Sequence, residues 1–178
     1  MKSPRTDKLR TNILGMVLAV LGFALAAVYA SIAISTQDVL WFAKRFDVLP
    51  TRIIVYQEGQ RTDLSAGQPG FAELGEAIRA SIAQGVAHPS GLGLSEASRQ
   101  DAYQLYTTVE AFFDRQVKVH AYFNTGPATQ ALFPITGRHS DRNVAFLGAD
   151  GAYFAGAPVL KTIQPIRDAL KALGFKTE

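Results

Sequence analysis

Residues Ile13 to Ile34 read ILGMVLAVLGFALAAVYASIAI, an uncharged run whose polar interruptions are Tyr29 and Ser31. Wound as an α-helix it is about 33 Å long at 1.5 Å per residue, against a bilayer hydrocarbon core of roughly 30 Å. Apolar side chains cover every face of such a helix, which suits lipid on all sides and argues against a soluble amphipathic helix. The stretch therefore reads as a transmembrane helix and signal anchor. It divides the 178 residues into a basic leader (1–12), the helix (13–34), a juxtamembrane connector (35–50) and a domain (51–178).

The charge supports this division. The chain carries 18 Lys and Arg against 15 Asp and Glu. The leader holds Lys2, Arg5, Lys8 and Arg10 against Asp7, which accounts for the whole excess of +3 and leaves residues 13–178 neutral. Basic residues resist translocation, so the expected topology is N-terminus inside the cytoplasmic membrane and domain outside it. A neutral domain lacks the concentrated basic face that nucleic acid requires, so nucleic acid is not an expected partner. The competing reading is a signal peptide cleaved after Ala30, because Val28-Tyr29-Ala30 precedes Ser31 in a small-x-small pattern; the apolar run exceeds the 7–15 residues of an ordinary signal core.

Gly15, Ala19, Gly22, Ala26, Ala30 and Ala33 fall on one helical stripe. Small residues in such a stripe let a second helix approach closely in lipid. The expected partners are therefore the bilayer itself and another transmembrane helix or membrane-complex subunit. Val39, Leu40, Trp41 and Phe42 follow the helix and resemble residues that settle at the headgroup level.

Beyond the connector, Arg52–Gln57 is β-branched and aromatic and reads as a strand, with Glu58-Gly59-Gln60 turning into a short return strand. Phe71, Leu74, Ile78 and Ile82 lie at helical spacing between Pro69 and Gly85. Residues 86–94 read as a loop, and Ser95-Glu96 as the cap of a short helix. Val109, Ala111 and Phe113 alternate with Thr108, Glu110 and Phe112. After a turn or bulge at Asp114-Arg115-Gln116, Val117, Val119, Ala121 and Phe123 alternate with Lys118, His120, Tyr122 and Asn124 as another half-buried strand. Residues 130–135 read as a strand that Pro134 demotes to an edge or irregular one. Asp150-Gly151 between apolar runs signals a hairpin, and Ile163, Ile166, Leu170 and Leu173 form the stripe of a final helix ending at Gly174. The expected architecture is α+β: an antiparallel sheet with two helices packed on one face.

Chemistry is harder to find. With no cysteine, disulfides, thiolate metal sites, Fe–S clusters and a Cys nucleophile are excluded. His88, His120 and His139 fit no metal-ligand spacing, and Gly91-Leu92-Gly93 lacks the context of a nucleotide loop, so no metal or cofactor is expected. The densest polar stretch is Thr136 to Arg142, where Arg138, His139, Ser140, Asp141 and Arg142 form a candidate ligand or partner loop; its arginines offer forked donors to an anion or acidic partner. No G-x-S-x-G elbow accompanies Ser140, and adjacent residues rarely converge as a catalytic triad. The expected function is a membrane-anchored, non-enzymatic binding or assembly domain. The alternatives are a tethered hydrolase using the His139 loop and a small-ligand sensor.

Overall fold

The computed structural model describes the backbone from Arg5 to Glu178 and side chains from Asn12 onward; the charged side chains of the leader lie outside the described residues. Helix α1 (Arg5–Thr36) contains the apolar run, is exposed from Asn12 to Ser31, and is long and apolar enough to cross a membrane. The remaining elements follow in order: β1 (Arg52–Gln57), β2 (Gln60–Ser65), α2 (Phe71–Ala83), β3 (Val86–Pro89), α3 (Glu96–Leu105), β4 (Thr107–Val117), β5 (Ala128–Pro134), β6 (Phe146–Ala149), β7 (Ala152–Tyr153), β8 (Pro158–Leu160) and α4 (Gln164–Ala172).

Six strands form one antiparallel sheet in the order β2-β1-β4-β5-β6-β7, and β3 pairs antiparallel with β8 in a separate two-stranded sheet. The fold is α+β, with helices α2 and α4 together on one sheet face. Alternation sets which residues meet them: Ile53 and Val55 of β1, Val109, Ala111 and Phe113 of β4, and Ala131 and Phe133 of β5 pack with Leu74, Ile78 and Ile82 of α2 and Ile166 and Leu170 of α4. The opposite face is covered by α3, whose first turn is capped by the Ser95 hydroxyl accepting from Ser98 N–H at 3.2 Å. A smaller cluster of Leu132, Val144, Phe146 and Ala157 lies there with Tyr103 and Tyr153. The β6–β7 hairpin turns through Asp150 and Gly151, both left-handed (φ 52° and 79°), as a two-residue type I′ turn requires.

Three local expectations are corrected. Residues 86–89 are a strand, not loop, because β8 supplies a partner 70 residues downstream that local patterning does not reveal. Residues 118–127 form no strand; β4 ends at Val117, and the alternation beyond it serves another purpose described below. Strand β5 is internal, not an edge: β6 pairs only with its Gln130–Leu132, so Pro134 sits past the stretch flanked on both sides. Within the connector 35–50, Phe46 is buried in the main core with its ring edge-on to Phe113 at 5.8 Å.

Candidate functional site

The junction between helix and domain is the most completely wired polar region. Helix α1 ends with Gln37 in the left-handed conformation (φ 53°). Asp38 N–H donates to the Ala33 carbonyl at 3.0 Å and Gln37 N–H to Ile34 at 3.2 Å, the paired bonds of a Schellman cap without its usual glycine. The remaining carbonyls at the negative end of the helix are taken by Lys118, whose Nζ donates to Thr36 O at 2.9 Å and to Gln37 O. Asp38 is buried, at 7% exposure; one carboxylate oxygen accepts from Leu40 N–H at 2.9 Å and the other meets His120 Nδ1 at 2.8 Å. Lys118 and His120 thus leave the sheet pattern to grip the helix end. The sequence held the alternation but no sign of this use, since residues 35–38 carry no glycine to mark the cap.

A second polar centre lies under α3. Glu110 is 6% exposed on β4 and accepts hydrogen bonds from the hydroxyls of Tyr103 (2.9 Å), Tyr56 (3.3 Å) and Tyr153. The Tyr56 and Tyr103 rings stack at 4.1 Å. Burial first, then the Glu110 charge, pushes all three phenols above their ordinary pKa of 10.0. They remain donors at neutral pH, so the carboxylate is satisfied without a cation, and α3, β1, β4 and β7 are tied to one atom group. Read from alternation, Glu110 belonged to the polar face of its strand; the available clue was the recurrence of tyrosine at 56, 103 and 153.

The loop at 136–142 is built on unusual backbone. Gly137 (φ 71°), His139 (φ 68°) and Asn143 (φ 50°) are left-handed, with a 3-10 turn over Ser140–Arg142. Arg138, Asp141 and Arg142 are exposed, while His139 and Ser140 are half-buried. Among the described residues no salt bridge joins Asp141 to either arginine. Arg138 Nη1 lies 3.4 Å from Ser98 Oγ, and Arg167 Nη2 donates to Ser140 O at 2.7 Å. Ser140 Oγ donates to Gly137 O at 2.8 Å and so is not aimed at His139 as a nucleophile would be. The His139 ring meets Phe146 edge-on at 6.0 Å; desolvation, then Arg138 and Arg142, lower its pKa below 6.5. His139 and Asp101 line one cavity, but its free space of about 10 Å³ holds a single water rather than a substrate.

The stripe residues Gly15, Ala19, Gly22, Ala26 and Ala30 are exposed and Ala33 is half-buried; nothing lies within 4 Å of the positions a Cβ would take at Gly15 and Gly22. Among the described residues no three His, Cys, Asp or Glu side chains converge as a metal-holding group. Compared with protein-family models, curated proteins and solved structures, the chain matches none of them.

Proposed function

We propose that the chain is a single-pass protein of the cytoplasmic membrane, N-terminus inside, that holds its α+β domain outside as a non-enzymatic binding and assembly module, an accessory subunit of a membrane complex. The observation that carries this reading is the junction. A tether needs only a flexible linker, whereas here Lys118, Asp38 and His120 fasten the domain to the last turn of the helix. Fastening is useful where the direction of the domain matters, as it does for a subunit docked through its helix. The exposed part of the stripe, from Gly15 to Ala30, offers the close-approach surface for such docking. The hydrolase alternative has less behind it, since the His139 cavity is water-sized and Ser140 is turned away.

Cysteines placed one at a time on the stripe (Gly22→Cys, Ala26→Cys) and on the opposite face (Val17→Cys, Val28→Cys) test the assembly reading in native membranes. Crosslinks to another polypeptide are expected from the stripe alone; equal crosslinking from both faces, or none, would count against assembly through the helix. Protease added to intact spheroplasts is expected to reach the domain, and digestion only after lysis would reverse the orientation. A mature N-terminus at Ser31 would show that the helix is removed.

A further inference from the structure

The chain turns back on itself after α1. Tyr29 Oη donates to the Val39 carbonyl at 2.7 Å, and the Tyr29 and Phe42 rings lie 6.4 Å apart. Tyr29 is seven residues before the helix end, so Val39–Phe42 folds back along the last turns of α1. That sets Trp41 and Phe42 beside the last turns of α1, near the end of its apolar run, and such rings favour the headgroup level of a bilayer.

Beside them is a cavity of about 230 Å³ lined by Trp41, Phe42, Lys44, His120, Tyr122 and Lys161, among other residues, and by no acidic side chain. Its two lysines are held around one glycine. Lys161 N–H donates to the Gly85 carbonyl at 3.0 Å, and the Lys44 stem lies 3.5 Å from the position of a Gly85 Cβ. Among the described residues neither lysine forms a salt bridge. They crowd each other instead: the Lys44 charge lowers the Lys161 pKa below 10.5. Trp41 lines the same cavity, and its indole N–H is buried without a hydrogen-bond acceptor. His120 faces this space with its Nδ1 on Asp38, the nearby carboxylate, which is buried and turned to the junction.

We infer that Lys44, Lys161 and the Trp41 indole form a binding site for the phosphate headgroup of an anionic phospholipid drawn from the bilayer that α1 spans. Two neighbouring ammonium groups call for an anion that can bridge them, and a phosphodiester does so with two oxygens. The exposed rings of Phe42 and Tyr122 (59% and 52% exposed) provide the apolar rim against which acyl chains lie. The occupant is lipid rather than a soluble anion because this rim continues from the membrane helix. The inference rests on α1 spanning a bilayer and is independent of the orientation and of assembly.

Trp41 is the only tryptophan in the chain, so its fluorescence reads this site in the full-length protein. The protein is reconstituted into nanodiscs of phosphatidylcholine containing a minor fraction of brominated phosphatidylglycerol, or the same fraction of brominated phosphatidylcholine. The expected result is stronger quenching by the anionic lipid, with its apparent affinity for the site about tenfold higher, as two lysines at a membrane surface support. Lys44→Ala with Lys161→Ala should abolish the difference, and Lys44→Arg with Lys161→Arg should keep it. Equal quenching by the two lipids overturns the site. So does loss of the preference when Arg45 and Arg52 are changed to Ala instead, which would indicate a diffuse field. Abolition by millimolar inorganic phosphate would make it a soluble-anion site and refute the lipid assignment. Failure of the protein to enter nanodiscs at all would instead refute the spanning helix on which the inference rests.

Discussion

Lys118 caps a helix that ends 82 residues earlier in the chain: its ammonium lies 2.9 Å from the Thr36 carbonyl, at the negative pole of α1. The charge, the hydrogen bond and the adjacent Asp38–His120 pair make one clamp. Changing Lys118 to Met keeps the stem and removes the donors. The expected loss is about 1–2 kcal/mol of local stability, seen as roughly tenfold faster amide exchange at Asp38 and Leu40 with the domain's melting temperature nearly unchanged. Unaltered exchange at these amides would show that the clamp does not hold the junction.

Glu110 should be among the most sensitive polar positions. Glu110→Ala leaves three half-buried phenolic hydroxyls without their acceptor and is expected to cost about 2–4 kcal/mol, while Glu110→Gln keeps one acceptor and should cost about 1–2 kcal/mol. A thermal melt of both variants checks the order. The pH dependence has a definite sign. The phenol pKa values of Tyr56, Tyr103 and Tyr153 are raised on folding, so their contribution is intact below 10.0 and is lost as pH climbs above it. Phenolate absorbance should therefore show these three phenols ionising only as the fold opens.

Gly137 and Gly67 separate backbone strain from steric conflict. Both have positive φ, but a Cβ at Gly137 would fall 2.1 Å from the Tyr106 ring, whereas one at Gly67 meets nothing within 4 Å. Gly67→Ala is expected to cost about 1 kcal/mol, the price of a left-handed alanine. Gly137→Ala should cost about 2–4 kcal/mol because the ring must also move. Equal destabilisation by chemical denaturation would mean that Tyr106 yields freely.

Phe46 fixes where a soluble fragment has to begin. A fragment of residues 51–178 discards a buried aromatic ring and Val48 beside it, while 43–178 keeps both. The longer fragment should be more stable by about 3–5 kcal/mol in denaturant, the range for deleting a core phenylalanine. Indistinguishable midpoints would place Phe46 outside the cooperative unit.

What the sequence made legible is what local patterning carries. The apolar run of α1, the stripes Leu74-Ile78-Ile82 and Ile166-Leu170, the Ser95 cap and the Asp150-Gly151 turn each depend on residues within a few positions of one another. The failures share a different cause. His88 pairs with Val159 across a two-stranded sheet, Lys118 serves Thr36, and Glu110 collects Tyr56 and Tyr153 beside the nearer Tyr103; each involves a partner distant in the chain. Alternation at Val117–Phe123 correctly marks Val119 and Ala121 as buried, but the polar positions between them answer to the helix end rather than to solvent. The loop at Arg138–Arg142 was visible as a polar island. Its left-handed residues and the turned-away Ser140 hydroxyl were not, because no composition rule reports where a hydroxyl points.

The clamp at Thr36 also has a rotational consequence. With the last turn held by Lys118 and the Asp38–His120 pair, the azimuth of the small-residue stripe and the heading of the domain are a single variable. One extra residue inserted between Ala30 and Thr36 turns every earlier side chain by about 100° relative to the domain, and seven extra residues bring them back to within about 20°. The protein is indexed like a key on its shaft: the direction in which the stripe points and the side of the domain turned the same way are set together.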